Sequence, residues 1–236
     1  MKRRLTLLAG LSALAFANLA DSFPPYRSTD ADTAGADMFE LRVGLLRLER
    51  NNSRSTRLTP LIRTNYGFGD HFEVVSEFDY SPDSDRLDEG AVGFKWASIE
   101  NGIGRGVETL ILLPVQPNQS GIGIESQILT TLQKQTWQLH ANVGAFRDSR
   151  LSSVEDGWRA SLLAEFPGDR VIPGVELFVK DVLGDENSAR IQLGAGIITG
   201  FDLFEIRSGI HFGLNDSAPD LEVSIWFAWK WAVAAD

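Results

Sequence analysis

The feature that most constrains this chain is an alternation of apolar and polar residues that recurs between Met38 and Trp231. The segments 136–147, 204–214 and 221–231 show it most clearly, with mostly apolar side chains at every second position. A period of two places the two sets on opposite faces of a β-strand, and a helical stripe of period 3.6 fits none of these segments. The sequence therefore predicts an all-β fold.

The same pattern, followed along the whole chain, predicts about twelve antiparallel strands of roughly 9–11 residues, the length of a tilted strand that spans a bilayer. The approximate spans are 38–50, 57–66, 72–80, 88–97, 106–114, 121–132, 136–147, 157–166, 174–182, 188–199, 204–214 and 221–231. Pro60 is expected to weaken the second strand, because proline donates no ladder hydrogen bond. The parity changes after Leu45, which predicts a β-bulge in the first strand.

The N-terminus predicts export from the cytoplasm. Three basic residues at positions 2–4 precede an apolar run over 5–17, which is typical of a signal peptide and too short for a spanning helix of about 20 residues. Cleavage is expected after Ala17 or Ala20. The predicted organisation is a signal peptide over 1–20, a flexible segment over 21–37 that alternatively folds back into the barrel as a plug, a barrel over 38–231 and a tail over 232–236.

Composition removes several function classes. The 236 residues include no cysteine, which excludes disulfides, thiolate catalysis and Cys-ligated metals. The formal net charge of −10 argues against a nucleic-acid partner, since phosphate binding needs clustered Lys and Arg. Ordinary overall hydrophobicity does not exclude a membrane barrel, because such a barrel exposes only alternate residues to lipid.

Aromatic residues of the apolar parity lie near the predicted strand ends. With strands counted from a periplasmic N-terminus, they form a girdle at each rim, as expected at the two interfaces of a membrane barrel. The predicted girdle comprises Tyr66, Phe72, Trp96, Trp137, Trp158, Phe166, Phe204, Phe212, Trp229 and Trp231. Connections are short at one end and longer and more acidic at the other, except for a long connection over 98–105. The sequence therefore predicts a transmembrane antiparallel β-barrel in the outer membrane of a Gram-negative cell.

Charged residues within the strands fall on the opposite parity, which predicts a polar lumen. A Lys or Arg that faces lipid at mid-bilayer costs about 2–4 kcal/mol, and a slip of one residue would expose all of these charges. The predicted lumen-lining residues are Glu73, Glu77, Lys95, Glu108, Glu125, His140, Arg159, Lys180, Arg190, Arg207 and His211.

Four short motifs resemble those of a known family. The segment 61–75 is similar to a "P…R.GYGLTDRLEL" hairpin, 112–114 to an "LPTG" strand end, 140–144 to an "h.NlG" strand and 213–221 to a "Gl.d.sPd" loop. These motifs resemble Gram-negative outer-membrane barrels that are described as transporters or as proteins of the meta-pathway of phenol degradation. The resemblance implies a barrel with a transport role and brings no catalytic residues with it.

Two positions depart from the motifs of that family. Val115 and Gln116 replace the Thr-Gly of the "LPTG" strand end. Such barrels usually end on a terminal aromatic that the barrel-assembly machinery reads; Trp231 fills that role here, but 232–236 follow it.

The histidines and serines show no catalytic pattern. His71 lies in a turn, and His140 and His211 lie on the lumen parity without the spacing of a metal site. A serine hydrolase needs a base within reach of its nucleophile, yet Ser208 and His211 have opposite parities. We therefore expect no cofactor, no metal, no catalytic residue and no enzyme activity. An outer-membrane acyl enzyme, either a phospholipase or a lipid A-modifying enzyme, is kept as an alternative.

The predicted function is a channel or passive transporter for small solutes through the charged lumen. Barrels of about eight strands are filled by side chains and those of about 16–18 strands hold a wide channel, so twelve strands are intermediate. A closed barrel with a structural or surface-recognition role through its outer loops is therefore a second alternative, and a soluble lipocalin-like barrel is a more distant one. The expected partners are outer-membrane lipid and lipopolysaccharide, a small solute or ion, and the barrel-assembly machinery.

Overall fold

The computed structural model describes residues 24–50, 56–58, 61–81, 85–150, 153–185 and 189–233. The predicted signal peptide over 1–20 and residues 234–236 of the predicted tail lie outside the described residues. Within the described part, no helix is long and apolar enough to cross a membrane. The strands are β1 (Met38–Arg50), β2 (Thr56–Leu58), β3 (Leu61–Phe68), β4 (Phe72–Ser81), β5 (Arg86–Glu100), β6 (Ile103–Leu112), β7 (Gly123–Gln133), β8 (Gln138–Asp148), β9 (Glu155–Glu165), β10 (Val171–Val182), β11 (Arg190–Gly200), β12 (Glu205–Gly213) and β13 (Leu221–Ala232).

The strands form one closed antiparallel barrel. Each strand pairs with its neighbour in the chain, and β13 returns to pair with β1 from Met38 opposite Ala232 to Arg50 opposite Leu221. Both β2 and β3 pair with β1, so they are two parts of one barrel strand and the barrel has 12 strands. Closure pairs the backbone groups of the first and last strands, which a lipid environment requires. The fold class predicted from the sequence is confirmed.

Most details of the predicted strands also hold. The register between β1 and β13 shifts between Gly44 and Leu46, which confirms the predicted bulge. Pro60 lies outside the described residues. The connection expected over 98–105 is wrong, because β5 and β6 continue through it and leave a turn of Asn101 and Gly102 with φ of 53° and 77°. Two consecutive left-handed residues make the tight hairpin turn that Asn-Gly favours.

The two ends of the barrel differ in the length of their connections. At one end, here called the short-turn end, the connections are 69–71, 101–102, 134–137, 166–170 and 201–204. At the other, the long-loop end, the fully described connections are 113–122 and 214–220. With the turn at Asn101 and Gly102 in place, every connection of the short-turn end is brief, as in outer-membrane barrels.

The outside of the barrel is apolar along the middle of the strands. Ile128 and Val143 are 65% and 62% exposed, although they lie at mid-strand. A band of exposed aliphatic side chains around a closed barrel suits a bilayer and would favour aggregation in water.

Aromatic rings on the outside flank this band. The predicted girdle residues are exposed or half-buried there, and at the short-turn end Phe72 is the register partner of Trp96 while Phe39 lies 4.9 Å from Trp231 between ring centroids.

The chain upstream of β1 enters the barrel. For residues 21–37 the sequence left a flexible segment and a plug as alternatives, and the described part of this region lies within the lumen. Residues 24–34 form what we call the inner segment, in which Tyr26 is 1% and Ser28 is 0% exposed. Gly35 and Asp37 then lead to the short-turn end, where the Asp37 backbone N–H donates to the Gly67 carbonyl at 2.9 Å.

Candidate functional site

The lumen holds the predicted charged residues on the inward parity of the strands. Their burial differs with depth. Those that are buried are Glu73, Lys95, Glu108, His140, Arg207 and His211; those that are half-buried are Glu77, Glu125, Arg159 and Lys180; and Arg190 is exposed towards a cavity.

Glu176 of β10 is the main attachment point of the inner segment. Its carboxylate is fully buried and accepts the backbone N–H of Arg27 at 2.8 Å, and both the N–H and the hydroxyl of Ser28 at 2.5 Å. Nε2 of His211 lies 3.0 Å from the second carboxylate oxygen. Several donors thus satisfy one buried charge, as burial of a carboxylate requires.

Further polar contacts attach the rest of the segment to different strands. Nζ of Lys95 lies 3.0 Å from Oδ1 of Asp30, and the backbone N–H of Ala34 donates to Glu73 at 2.7 Å. Three more hydrogen bonds run from Ala31 N–H to the Thr131 hydroxyl at 2.9 Å, from Asn142 Nδ2 to the Thr29 carbonyl at 2.8 Å and from Arg159 NH2 to the Arg27 carbonyl at 2.8 Å. The segment is therefore held on several sides of the barrel.

A row of glycines gives the segment its space in the wall. Gly174, Gly196 and Gly209 are register partners on β10, β11 and β12. A Cβ atom at Gly196 would lie 2.8 Å from Cε1 of Tyr26, and one at Gly209 would lie 2.8 Å from Cβ of Pro25. Because real Cβ atoms do not approach so closely, any side chain in this row would displace the inner segment.

The Tyr26 side chain packs in an apolar cluster on the wall of the lumen. Its ring packs with Leu163 and Ile198, and half-buried Ile172 lies against the same cluster. The hydroxyl has no hydrogen-bond partner among the described residues. Burial raises the pKa of Tyr26 far above its usual value, and the nearby carboxylates of Glu165 and Glu176 raise it further.

The half of the lumen towards the long-loop end contains a cavity of about 320 Å³. Arg27 of the inner segment forms part of its floor, and Arg150 and Pro219 of the loops lie at its mouth. This volume is at the lower end of the range of small-molecule sites, roughly 300–1,000 Å³.

Acidic residues line one side of this cavity. They lie on β4 to β7 and include Glu77, Glu89, Glu108 and Glu125. Arg63 lies between two of them, with NH1 2.9 Å from Glu77 and NH2 2.7 Å from Glu108. The opposite side is basic, with Arg159, Lys180 and Arg190 on β9 to β11.

A third polar cluster lies where the barrel closes. Glu40 and Arg42 of β1 form an ion pair at 2.7 Å, and Arg207 of β12 pairs with Glu205 at 2.6 Å and lies 3.6 Å from Glu40. The strand between them, β13, therefore has charged pairs on both sides. These inward ion pairs link β1 to β12 across β13.

Three of the central residues are absent from the predicted lining set. The sequence pattern places Glu176 on the polar parity without selecting it as a lining residue, and Arg63 lies on the same parity of a predicted strand. Arg27 lies outside every predicted strand, and no local pattern indicates it.

One arrangement in the lumen has the order of a catalytic triad. Nδ1 of His140 lies 2.9 Å from the Thr131 hydroxyl, and Nε2 lies 3.1 Å from Glu165. All three side chains are at most 2% exposed, and the inner segment covers Thr131 through the Ala31 N–H. A nucleophile must reach its substrate, so the arrangement in this state is structural. In the described part of the chain, no group of three or more His, Asp and Glu residues could hold a metal ion.

Comparison with known proteins shows likeness in structure and not in sequence. No protein-family model matches the chain, and no curated protein matches it. An outer membrane channel from Pseudomonas putida F1 has a TM-score of 0.66 at 9% identity, over 86% of this chain and 98% of that one. The NanC porin has a TM-score of 0.60 at 8% identity, over 83% and 100%. The KdgM porin, solved with disordered oligogalacturonate, has a TM-score of 0.58 at 8% identity, over 84% and 99%. The chain thus has the fold of outer-membrane β-barrels.

Proposed function

We propose that this protein is an outer-membrane channel that admits small solutes into a charged lumen. The observation that carries the proposal is the 320 Å³ cavity lined by charged residues, inside a closed barrel with an apolar exterior. The predicted signal peptide supports export to that membrane, with the long-loop end outside the cell and the short-turn end in the periplasm. Outer-membrane lipid and lipopolysaccharide are then the surroundings of the apolar band.

Passage through the whole barrel requires the inner segment to move. Ser28 and Ala31 are fully buried between the strands, so the half of the lumen towards the short-turn end is occupied by chain. The inner segment is held in the lumen mostly by hydrogen bonds, as a bound ligand is, and less by the hydrophobic packing of a protein core. Such contacts exchange with water when the segment leaves, which lowers the cost of opening.

Planar-bilayer recording tests the channel directly. The refolded full chain should show small conductance steps, and a variant lacking residues 24–34 should show larger and longer steps, because the occupied half of the lumen is then empty. The control is a variant in which residues 24–34 are replaced by a Gly/Ser linker of equal length. Absence of conductance in all three proteins at every voltage would contradict the channel.

We also propose membership of the barrel group described by transport and the meta-pathway of phenol degradation. In support, the motif over 61–75 coincides with the β3–β4 hairpin, and that over 213–221 coincides with the connection that precedes β13. Recognition by the barrel-assembly machinery would use Trp231, whose side chain is 45% exposed on the outside of the last strand. Replacement of Trp231 by Ala should slow assembly in vivo without preventing refolding in detergent.

A closed barrel that acts through its outer loops is the second candidate. The burial of the inner segment favours it, because an immobile segment would seal the barrel. Deletion within the 113–122 loop would then abolish the structural or surface-recognition role of the protein in cells, while the deletion of 24–34 would leave that role intact.

We do not assign enzyme activity, since the Thr131, His140 and Glu165 arrangement is covered by the inner segment. Release of fatty acid from phospholipid by the purified protein would contradict this assignment.

A further inference from the structure

Three cations lie side by side in the wall of the cavity. Lys180 of β10 is the register partner of Arg159 on β9 and of Arg190 on β11. Directly opposed residues on neighbouring strands have Cβ atoms about 4.5–5.5 Å apart, and like charges in such positions destabilise the sheet. A row of like charges therefore needs negative partners.

Only Arg159 forms a direct ion pair with a described residue, although the carboxylates of Glu125 and Glu89 also attract Lys180. Arg159 donates a hydrogen bond to Glu125 and is thereby neutralised. Lys180 has its Nζ 4.5 Å from the centre of the Phe146 ring, which attracts a cation without neutralising it. Neither Lys180 nor Arg190 forms an ion pair with a described residue, and both line the cavity. Two adjacent cations without a direct ion pair to a described residue thus face a space open to solutes.

Three apolar side chains on different strands also line the cavity: Phe178 of β10, Leu61 of β3 and Leu110 of β6, which are 6%, 6% and 9% exposed. The centre of the Phe178 ring lies 5.4 Å from the guanidinium carbon of Arg159. The cavity volume of about 320 Å³ is at the lower end of the range of small-molecule sites, so the space suits one small organic molecule. Glu77 and Glu89 on the far wall oppose a multiply charged anion.

We infer that Lys180 and Arg190 bind the carboxylate of a small organic acid, whose apolar body lies against Phe178 and Leu110. This inference rests on the proposed function for the entry of the solute, since it names the class of solute that the cavity takes up from the long-loop end. Binding itself does not require conduction. A carboxylate accepts hydrogen bonds from both cations at once, and the charge-assisted geometry orients the solute.

Isothermal titration calorimetry of the full chain in lipid nanodiscs tests the site, with pentanoate as the probe. Pentanoate should bind at one site per barrel, and Lys180→Gln and Arg190→Gln should each weaken binding about tenfold, because each removes one charge-assisted hydrogen bond. Arg147→Gln is the matched control. Arg147 lies near the same end on the outer face, where its side chain is 63% exposed and 3.6 Å from Asp156.

Chemical controls separate charge from hydrophobicity. Pentanol and pentylammonium should bind at least tenfold more weakly than pentanoate, since neither carries the negative charge. Acetate should also bind more weakly, because it has no apolar body to place against Phe178. Equal binding of pentylammonium and pentanoate, or binding of inorganic phosphate without binding of pentanoate, would overturn the inference.

Failure of the binding site can be distinguished from failure of the proposed channel function. If the protein conducts but pentanoate does not bind, the site is wrong and the channel stands. If pentanoate binds to a protein that never conducts, the site stands and the channel is wrong. A folded state for each variant is shown by the heat-modifiable mobility of an intact barrel on electrophoresis.

Discussion

The two halves of the lumen are built from the same strands and are used differently. Towards the short-turn end, wall carboxylates such as Glu176 and Glu73 bind backbone N–H groups of the inner segment. Towards the long-loop end, Glu77 and Glu108 bind Arg63 of the wall and leave a cavity beside them. The difference shows that an inward-facing acid does not by itself create open space. What fills one half is a piece of chain from outside the barrel sequence, and the three predictions that follow act on that piece.

The largest effect is expected from Glu176→Gln. The amide offers one acceptor in place of two and points an NH2 group at the donors of Arg27, Ser28 and His211. Loss of several hydrogen bonds at about 1–3 kcal/mol each should destabilise docking of the inner segment by roughly 3–5 kcal/mol. Hydrogen exchange followed by mass spectrometry should then show lost protection over 24–34.

The control for this change is Glu100→Gln, which alters an exposed carboxylate at the short-turn end. It should leave protection of 24–34 unchanged. If Glu176→Gln also reduced pentanoate binding in the cavity as much as Lys180→Gln does, the two halves of the lumen would not act independently, and the contrast between them would be wrong. Unaltered protection in Glu176→Gln would show that the segment is held by other contacts.

An intermediate effect is expected from Gly196→Ala. The added Cβ would lie 2.8 Å from the Tyr26 ring and 3.0 Å from Cγ of Pro25, so the segment must shift. Overpacking of this kind costs about 1–3 kcal/mol. Faster cleavage within the inner segment by an added protease would measure the effect.

Gly200→Ala supplies the matched control on the same strand. Its Cβ would have the Arg170 carbonyl oxygen as its nearest neighbour at 3.9 Å, which is ordinary contact. Both substitutions change strand propensity equally, so a difference in the rate of cleavage measures only the effect on docking of the inner segment. Equal cleavage of the two variants would show that the glycine row does not hold the segment.

The smallest effect at neutral pH is expected from Tyr26→Phe. The hydroxyl has no described partner, and its removal should change the stability of the seated segment by about 1 kcal/mol or less. The pKa of Tyr26 is raised when the inner segment is docked in the lumen. The protonated phenol therefore stabilises the docked segment at pH values below the ordinary tyrosine pKa of 10.0. That contribution is lost as the pH rises above this value.

Bilayer conductance measured as a function of pH tests the direction of this pH dependence. The unaltered chain should open more often above about pH 10, the usual tyrosine pKa, whereas Tyr26→Phe should not show this rise. Tyr66→Phe, on the outside of the barrel, should behave like the unaltered chain. A rise of equal size in Tyr26→Phe would assign the alkaline opening to other groups.

The barrel could be predicted from the sequence because its signal is local. Each strand contains its own alternation, so parity, closure and the bulge beyond Gly44 follow from neighbouring residues. The turn at Asn101 and Gly102 was also encoded locally, but continuous alternation through 98–105 was overlooked. Element boundaries fail where two strands meet in a two-residue turn and no polar stretch separates them.

The inner segment and the ion pairs could not be predicted in the same way. The contact between Arg27 and Glu222 joins residues 195 positions apart, and no periodic pattern reports such a distance. Parity places Arg63 inside, and the register of the β3–β4 hairpin places it opposite Glu77. Its second partner, Glu108 of β6, is not on a neighbouring strand, and the curvature of the closed wall brings the two together. The glycines at inward positions of β10, β11 and β12 were the one feature of the sequence that indicates where the inner segment docks.

The position of those glycines has a consequence for biogenesis. The groove that receives Pro25 and Tyr26 exists only after β10, β11 and β12 have paired, and these are among the last strands of the chain to be synthesised. The inner segment precedes every barrel strand in the chain, yet it has nowhere to dock until the barrel wall is nearly complete. An assembling barrel would therefore be hollow before it is sealed, and a segment made before the barrel strands would be the last to find its place.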